Sequence, residues 1–259
     1  MKNKIVIFLY FIAHALVGQN TNYEKLIEAF TRRDYWSSYD YNRNDENVDS
    51  LDSLTKYNQR FKDLLLDYTS SYGQSITSSF KDLSEMGLIV STSEDGLFRI
   101  YSWDTLDGGT MHNFEKVFQF KDHGKVISTV IDAPTEYDAG NYCTQINDIT
   151  VEKKRYYLVQ TIAVGSSAVT IHNIKIYSID DAKINDDAKL IKTKSGIQNQ
   201  LGYTVDLTMF PMAWEDIPDF TINYDKKKKI IILPLIKENG KITNKKIKYQ
   251  FKGQYFQKK

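Results

Sequence analysis

Residues 93–114, SEDGLFRIYSWDTLDGGTMHNF, combine a turn, a strand and a polar loop, and this stretch decides the fold class. Asp95-Gly96 is a dipeptide typical of tight β-hairpin turns. It lies between two runs rich in β-forming residues, LIVSTS and LFRIYSW. The stretch therefore predicts an antiparallel hairpin whose second strand runs directly into the polar loop.

Similar turn signals recur along the rest of the chain. EKVFQF and KVISTVI flank a turn at residues 121–124, and the last β-rich runs meet at Asn239-Gly240. Short strands with turns between them favour an antiparallel meander over parallel βαβ units. Pro234 interrupts IIILPLI and predicts an edge position or a β-bulge. The strands group loosely into three sets: residues 88–131, 144–193 and 219–257. A propeller-like or sandwich-like domain is expected.

The earlier part of the chain has helical periodicity instead. One helix is predicted over residues 23–33. A longer one is predicted over residues 48–72, because its apolar residues recur at steps of three and four. Gly73 is expected to end it as a C-cap glycine. Residues 75–86 add a short helical turn. The predicted fold class is α+β, mostly β, with N-terminal helices followed by an antiparallel β-meander domain.

The N-terminus has the pattern of a signal peptide. Lys2 and Lys4 precede an apolar run over residues 5–17, and cleavage is expected near Gly18. The run is shorter than the roughly 20 residues that a membrane-spanning helix needs. The alternative is a retained N-terminal anchor. A lipoprotein is excluded because the single cysteine is Cys143.

The expected organisation is a signal peptide over residues 1–19, a helical region over residues 20–86 and an antiparallel β-domain over residues 87–259. The mature protein would be periplasmic, on the cell surface or extracellular, with no transmembrane segment once the signal is removed. A single cysteine forms no internal disulfide. We expect Cys143 to be a small core residue.

The C-terminal strands are strongly basic. Residues 226–259 contain twelve lysines and one acidic residue, Glu238. Such a charge pattern suggests a polyanion partner. However, the lysines alternate with β-forming residues, as in strands whose edges need protection. No arginine lies among them, and arginine is the usual choice for recognising phosphate. Nucleic acid is therefore disfavoured as a partner.

The run SEDGLFRIYSWDTLDGGTMH also resembles a block, DGxxRIYSWDTxxGGTM, of a known family. Its members are exported, functionally uncharacterised proteins of Bacteroidetes-type bacteria. The passages KRYYLV and AKLIKTKSG agree with it, and the resemblance covers about residues 76 to 256. It implies a periplasmic or cell-surface β-rich protein, and it brings no activity, cofactor or catalytic assignment.

The predicted strand places Arg99, Tyr101 and Trp103 on one face, because side chains alternate along a strand. This face is either a partly exposed binding surface or part of a core. Aromatic and arginine residues dominate binding hot spots, so ligand or partner contact stays open beside the core interpretation. The candidate binding residues are Arg99, Tyr101, Trp103, Asp104, Gly108, Gly109, Thr110, His112 and Trp214.

The loop after the strand has catalytic candidates. Asp104 and His112 are suited to acid–base chemistry, and residues 108–110 allow a backbone path that could bind an anion. In the alternative interpretation, Asp104 caps a turn and the glycines serve the turn alone. Trp214 and Glu215 form a second aromatic–acid cluster. Glu215 facing Asp104 across a cleft would resemble the carboxylate pair of a glycosidase.

Three functions are compatible with these patterns. The first is a non-enzymatic exported module that binds a protein or glycan partner. The second is a hydrolase that acts on a glycan or envelope substrate through the Trp–acid clusters. The third is a structural envelope component that docks through its lysine-rich strands. The chain has no P-loop, Rossmann glycine pattern, G-x-S-x-G or zinc-type histidine spacing, so no cofactor or metal site is predicted.

Overall fold

A computed structural model describes residues 21–39, 49–132, 138–209, 219–237 and 240–259. The predicted signal peptide lies outside these ranges. Residues 21–37 form helix α1. Helix α2 (Ser50–Ser71) and helix α3 (Lys81–Glu85) follow, with a 3-10 turn over Gly73–Thr77 between them. The helices precede the first strand, as the sequence predicts.

Helix α2 forms because one of its faces is apolar and its N-terminus is capped. Leu54, Phe61 and Leu65 are buried along that face at steps of seven and four. The Asp49 carboxylate accepts a hydrogen bond from the Asp52 backbone N–H at 2.9 Å. The prediction that Gly73 caps the helix is wrong. The C-cap is Tyr72, and Gly73 begins the 3-10 turn.

The strands form three sheets, which confirms a mostly β fold. Sheet 1 has the order β1-β2-β3-β4, with strands Ile89–Thr92, Phe98–Asp104, Phe114–Asp122 and Lys125–Thr129. Sheet 2 contains β5 (Tyr142–Val151), β6 (Lys154–Val164), β7 (Val169–Asp180), β8 (Lys183–Asn185) and β11 (Gln200–Asp206). Sheet 3 contains β9 (Ile191–Thr193), β10 (Gly196–Gln198), β12 (Asn223–Asp225), β13 (Ile230–Ile236), β14 (Ile242–Phe251) and β15 (Phe256–Lys258).

The turn chemistry explains the hairpins. Strands β1 and β2 pair across the Asp95-Gly96 turn, and Gly96 has φ +68°. The turn between β3 and β4 has positive φ at both His123 and Gly124, the geometry that two-residue hairpin loops favour. The register of β13 and β14 shifts between Pro234 and Ile236. The predicted β-bulge is thus confirmed.

Two details of the strand order differ from the predicted grouping of the strands into three consecutive sets. Strands β9 and β10 belong to sheet 3, whereas the later strand β11 returns to pair with β7 in sheet 2. Strand β15 pairs with β9 in parallel, and the other pairs among the described strands are antiparallel. Sheet 1 is a simple meander, and sheet 3 is assembled from distant segments.

The elements pack as successive layers with sheet 2 in the middle. The helices and the outer face of sheet 1 share one core, which includes Phe61, Leu65 and Trp103. The other face of sheet 1 packs on sheet 2 through a second core, which includes Phe98 and Tyr157. Sheets 2 and 3 share a third core. Its members include Leu158, Ile174, Ile176, Ile231 and Phe256.

Candidate functional site

The face of β2 that carries Arg99, Tyr101 and Trp103 is buried rather than partly exposed. Trp103 and Tyr101 have 0% exposure, and Arg99 has 6%. The Trp103 ring packs edge-on against Phe61 of α2, with 5.0 Å between ring centroids. Of the two interpretations of this face, the one in which it is part of a core is correct. Trp103 therefore presents no open surface on which a sugar ring could stack.

The polar atoms on this face serve internal hydrogen bonds. Arg99 Nη1 donates to the carbonyl oxygens of Ser75 and Ser78 at 2.9 and 2.6 Å. The Tyr101 hydroxyl donates to Gln119 Oε1 at 2.8 Å, and burial raises the pKa of Tyr101 to about 12. These bonds attach the segment after α2 to sheet 1.

The structure brings Asp104 and His112 together at the end of β2. Asp104 Oδ2 contacts His112 Nδ1, and Asp104 Oδ1 accepts a hydrogen bond from the Leu106 N–H at 2.9 Å. The His112 side chain is 47% exposed. In the described part of the chain, no hydroxyl or thiol contacts the other imidazole nitrogen. The pair is therefore open to solvent, and no nucleophile among the described residues lies beside it.

The loop that contains the glycines links two sheets. A Cβ at Gly108 would lie 2.0 Å from the Met111 carbonyl oxygen, so the close chain path requires glycine there. Gly109 and Thr110 are exposed. The His112 N–H donates to the Val164 carbonyl at 3.1 Å, which joins this loop to the end of β6. The loop therefore closes one end of the interface between sheets 1 and 2.

Two of the predicted residues are not placed by the structure. Trp214 and Glu215 lie outside the described residues. Cys143 is fully buried, as predicted. Burial raises the pKa of its thiol to about 11, which makes it a weak nucleophile at neutral pH.

A cleft opens between sheets 1 and 2. Its volume is about 630 Å³, within the usual range for ligand sites. Strand β3 contributes one wall of the cleft. The other wall is formed by the parts of β6 and β7 that extend beyond the core shared by the two sheets. The walls include Phe114, Lys116, Phe118, Ala163, Ile171, Lys175 and Tyr177. We call this opening the intersheet cleft.

Lys116 is the central charged group of the intersheet cleft. It lies on β3 between Phe114 and Phe118 on the same face. Its ammonium donates to Asn141 Oδ1 at 2.8 Å and lies 5.9 Å from the centroid of the Phe118 ring. Within the described part of the chain, no carboxylate lies within ion-pair distance of it. Burial lowers the pKa of Lys116, whereas Cys143 and Asp138 act to raise it and Lys175 to lower it.

The other charges near the intersheet cleft are paired or lie at its rim. Lys175 Nζ contacts Asp186 Oδ2 at 2.7 Å, and Lys62 Nζ contacts Glu115 Oε1 at 2.9 Å. Asp138 also lines the cleft, but it is exposed, and solvent screens its charge. Lys116 is thus a partly buried positive charge that makes no ion pair with these groups, although the carboxylate of Asp138 acts on it electrostatically.

Sequence reasoning missed Lys116 and Lys175. The signal that marks them is a lysine on the same strand face as aromatic residues. EKVFQF places Lys116 with Phe118, and IHNIKIYSI places Lys175 with Tyr177. Such a pattern is ordinary at a strand edge, and only the packing of two sheets shows that both lysines face one cleft.

The buried histidine His172 allows a prediction of pH dependence. It is buried on β7, where burial lowers its pKa below the usual value, and its ring stacks on Tyr203 at 5.3 Å. The unfolded chain therefore binds a proton more readily than the folded one in the range just below pH 6.5. We expect the free energy of unfolding to fall as the pH is lowered from 7.5 through this range. Urea denaturation at several pH values measures it.

The matched variant is His172→Gln, which keeps a polar side chain but does not titrate. The variant should lose the part of the pH dependence that His172 contributes. Equal slopes of stability against pH in the wild type and in His172→Gln would contradict the assignment.

Comparison with protein-family models, curated proteins and solved structures gives no significant match to this chain. In the part of the chain that the structure describes, no helix is both long and apolar enough to cross a membrane. The same part holds no cluster of three or more His, Cys, Asp or Glu residues suited to a metal ion.

Proposed function

We propose that this chain is an exported ligand-binding module of the cell envelope and that its intersheet cleft binds a small organic anion. Export is supported by the signal-peptide pattern of residues 1–19 and by the resemblance of the 93–114 stretch to exported proteins. Binding is supported by the chemistry of the cleft. The single observation that carries the proposal is the partly buried ammonium of Lys116, which has no paired carboxylate among the described residues.

The charge on Lys116 explains why the ligand is an anion. A cation that is removed from water is unfavourable unless a counter-charge or hydrogen bonds compensate it. Asn141 supplies one hydrogen bond, at 2.8 Å. An ammonium has three donors, so two remain for a ligand oxygen. A carboxylate beside Lys116 would form a charge-assisted hydrogen bond in a partly desolvated place, where such bonds are strong.

The walls of the intersheet cleft explain why the anion is organic. Phe114 and Phe118 lie on one side, and Ala163 and Ile171 lie on the other. Inorganic anions make no use of such surfaces, whereas an apolar body gains from contact with them. A carboxylate on an aliphatic or aromatic group matches both features.

Titration calorimetry with benzoate and hexanoate tests this assignment. Lys116→Met removes the charge and keeps the length of the side chain, so the dissociation constant should rise by about tenfold or more. Affinity should also fall as the pH rises through the lowered pKa of Lys116, because the neutral amine attracts an anion less.

Lys121→Met is the matched control, because Lys121 lies on the same strand and is exposed. It should leave the dissociation constant within about twofold of the wild-type value. Benzyl alcohol, which lacks the charge, should bind weakly to every variant. Equal benzoate affinities of the wild type and Lys116→Met would refute the assignment.

A further inference from the structure

A second pocket lies on the opposite face of sheet 2. Its volume is about 510 Å³, and it lies where β5, β6 and β7 meet the residues before β12. Side chains alternate along a strand, so Gln160 and His172 face this pocket, whereas Ala163 and Lys175 face the intersheet cleft. The two openings therefore lie on opposite faces of the sheet, and Thr161 and Asn173 contribute to the lining of both.

The lining of this pocket is polar but carries no formal charge. Eight of its ten residues bear a hydroxyl, an amide or an imidazole, and the other two are Ile162 and Ile222. His172 is neutral at neutral pH, because burial lowers its pKa. The intersheet cleft, in contrast, is lined by seven charged side chains. An ionic ligand would lose its hydration in the second pocket without gaining a counter-charge.

The polar groups offer both donors and acceptors. Gln160 Nε2 donates to Gln145 Oε1 at 3.2 Å, which leaves the Gln145 amide N–H groups and Gln160 Oε1 for other partners. Asn223 Nδ2 donates to Thr221 Oγ1 at 3.0 Å, which leaves Asn223 Oδ1 as an acceptor. These amides are already oriented by their internal hydrogen bonds. Ligand binding would therefore cost little additional side-chain conformational entropy.

The imidazole of His172 is held rigidly beside these amides. Its Nε2 bonds the Thr170 hydroxyl at 3.0 Å, and its ring is parallel to Tyr203 within 5°. Phe220 packs edge-on against the same ring, with 5.6 Å between centroids. The aromatic contacts fix the ring orientation, and Nδ1 remains as a hydrogen-bonding group.

We propose that this second pocket binds a neutral saccharide. Each sugar hydroxyl is both a donor and an acceptor, as are the paired amides that line the pocket. Ile162 and Ile222 provide apolar contact for the C–H face of a sugar ring. The site is distinct from the intersheet cleft, and its ligand is of a different chemical class.

The test is a titration of the ¹⁵N-labelled protein with D-glucose, D-galactose and N-acetyl-D-glucosamine, followed by NMR. Saturable shifts of the side-chain amide signals of Gln145, Gln160 and Asn223 are expected for at least one sugar. Gln145→Leu and Asn223→Leu should each weaken that binding by roughly tenfold. Gln145 and Asn223 are exposed, so these variants should fold, and circular dichroism verifies this.

Two controls separate this site from the proposed function. Gln59→Leu, on the exposed face of α2, should bind the sugar as the wild type does. Lys116→Met should also retain sugar binding, and benzoate should not displace the sugar. If no sugar produces saturable shifts, or if both leucine variants bind as tightly as the wild type, the saccharide site is disproved. Neither result would bear on the intersheet cleft.

Discussion

Replacing Trp103 with alanine should lower the free energy of unfolding by about 3–5 kcal/mol. The side chain has 0% exposure, and its ring packs edge-on against Phe61 in the core that joins the helices to sheet 1. Its Nε1 donates to Asn58 Oδ1 at 3.3 Å. The alanine variant would lose the apolar contacts, leave a cavity and deprive the buried Asn58 amide of a partner.

Urea denaturation followed by circular dichroism measures this effect. Trp103→Phe is the informative second variant, because it retains an aromatic ring beside Phe61 but loses the N–H donor. Its destabilisation should be smaller, at about 1–3 kcal/mol. A change below about 1 kcal/mol in the alanine variant would show that Trp103 is not a core residue and would return it to the candidate binding surface.

Replacing Arg99 with methionine should lower the free energy of unfolding by about 2–4 kcal/mol. The guanidinium donates to the carbonyls of Ser75 and Ser78, and its Nε donates to Thr92 Oγ1 at 2.7 Å. Removal of a buried cation relieves its desolvation cost. The variant also leaves three acceptors without a donor. This loss changes the free energy of unfolding more than the relief of the desolvation cost does.

Arg155→Met is the matched control for Arg99. Arg155 lies on β6, its side chain is 43% exposed, and its Nε contacts Asp95 Oδ2 at 3.2 Å. An exposed ion pair of this kind contributes less than about 1 kcal/mol. Comparable destabilisation in the two variants would contradict a structural role specific to Arg99, because both changes remove the same charge and hydrogen-bonding group.

Local sequence patterns predicted the elements of this fold well. The Asp95-Gly96 hairpin, the bulge at Pro234 and the long amphipathic helix before the strands all follow from turn chemistry and periodicity. Each depends on interactions between residues that are close in the chain. The alternation along β2 also placed Arg99, Tyr101 and Trp103 correctly on one face.

The sequence did not show what covers that face. A strand with Arg, Tyr and Trp on one side is compatible with an open surface or with a core, and only the position of α2 decides between them. Asp104 and His112 were both predicted as candidates in one short loop, and the structure shows them in contact. Lys116 and Lys175 come from different sheets, so no pattern within one strand could bring them to one cleft.

The pairing of β15 with β9 has a consequence for the order in which the protein folds. Phe256 is the parallel partner of Ile191, so this contact closes a long stretch of chain and forms slowly. Sheet 1 needs only neighbouring hairpins and can form early. Until residues 256–258 pair with β9, the face of sheet 2 that carries Leu158, Ile174 and Ile176 is only partly buried. A newly made chain would expose an apolar surface during this interval, and chaperones recognise such surfaces.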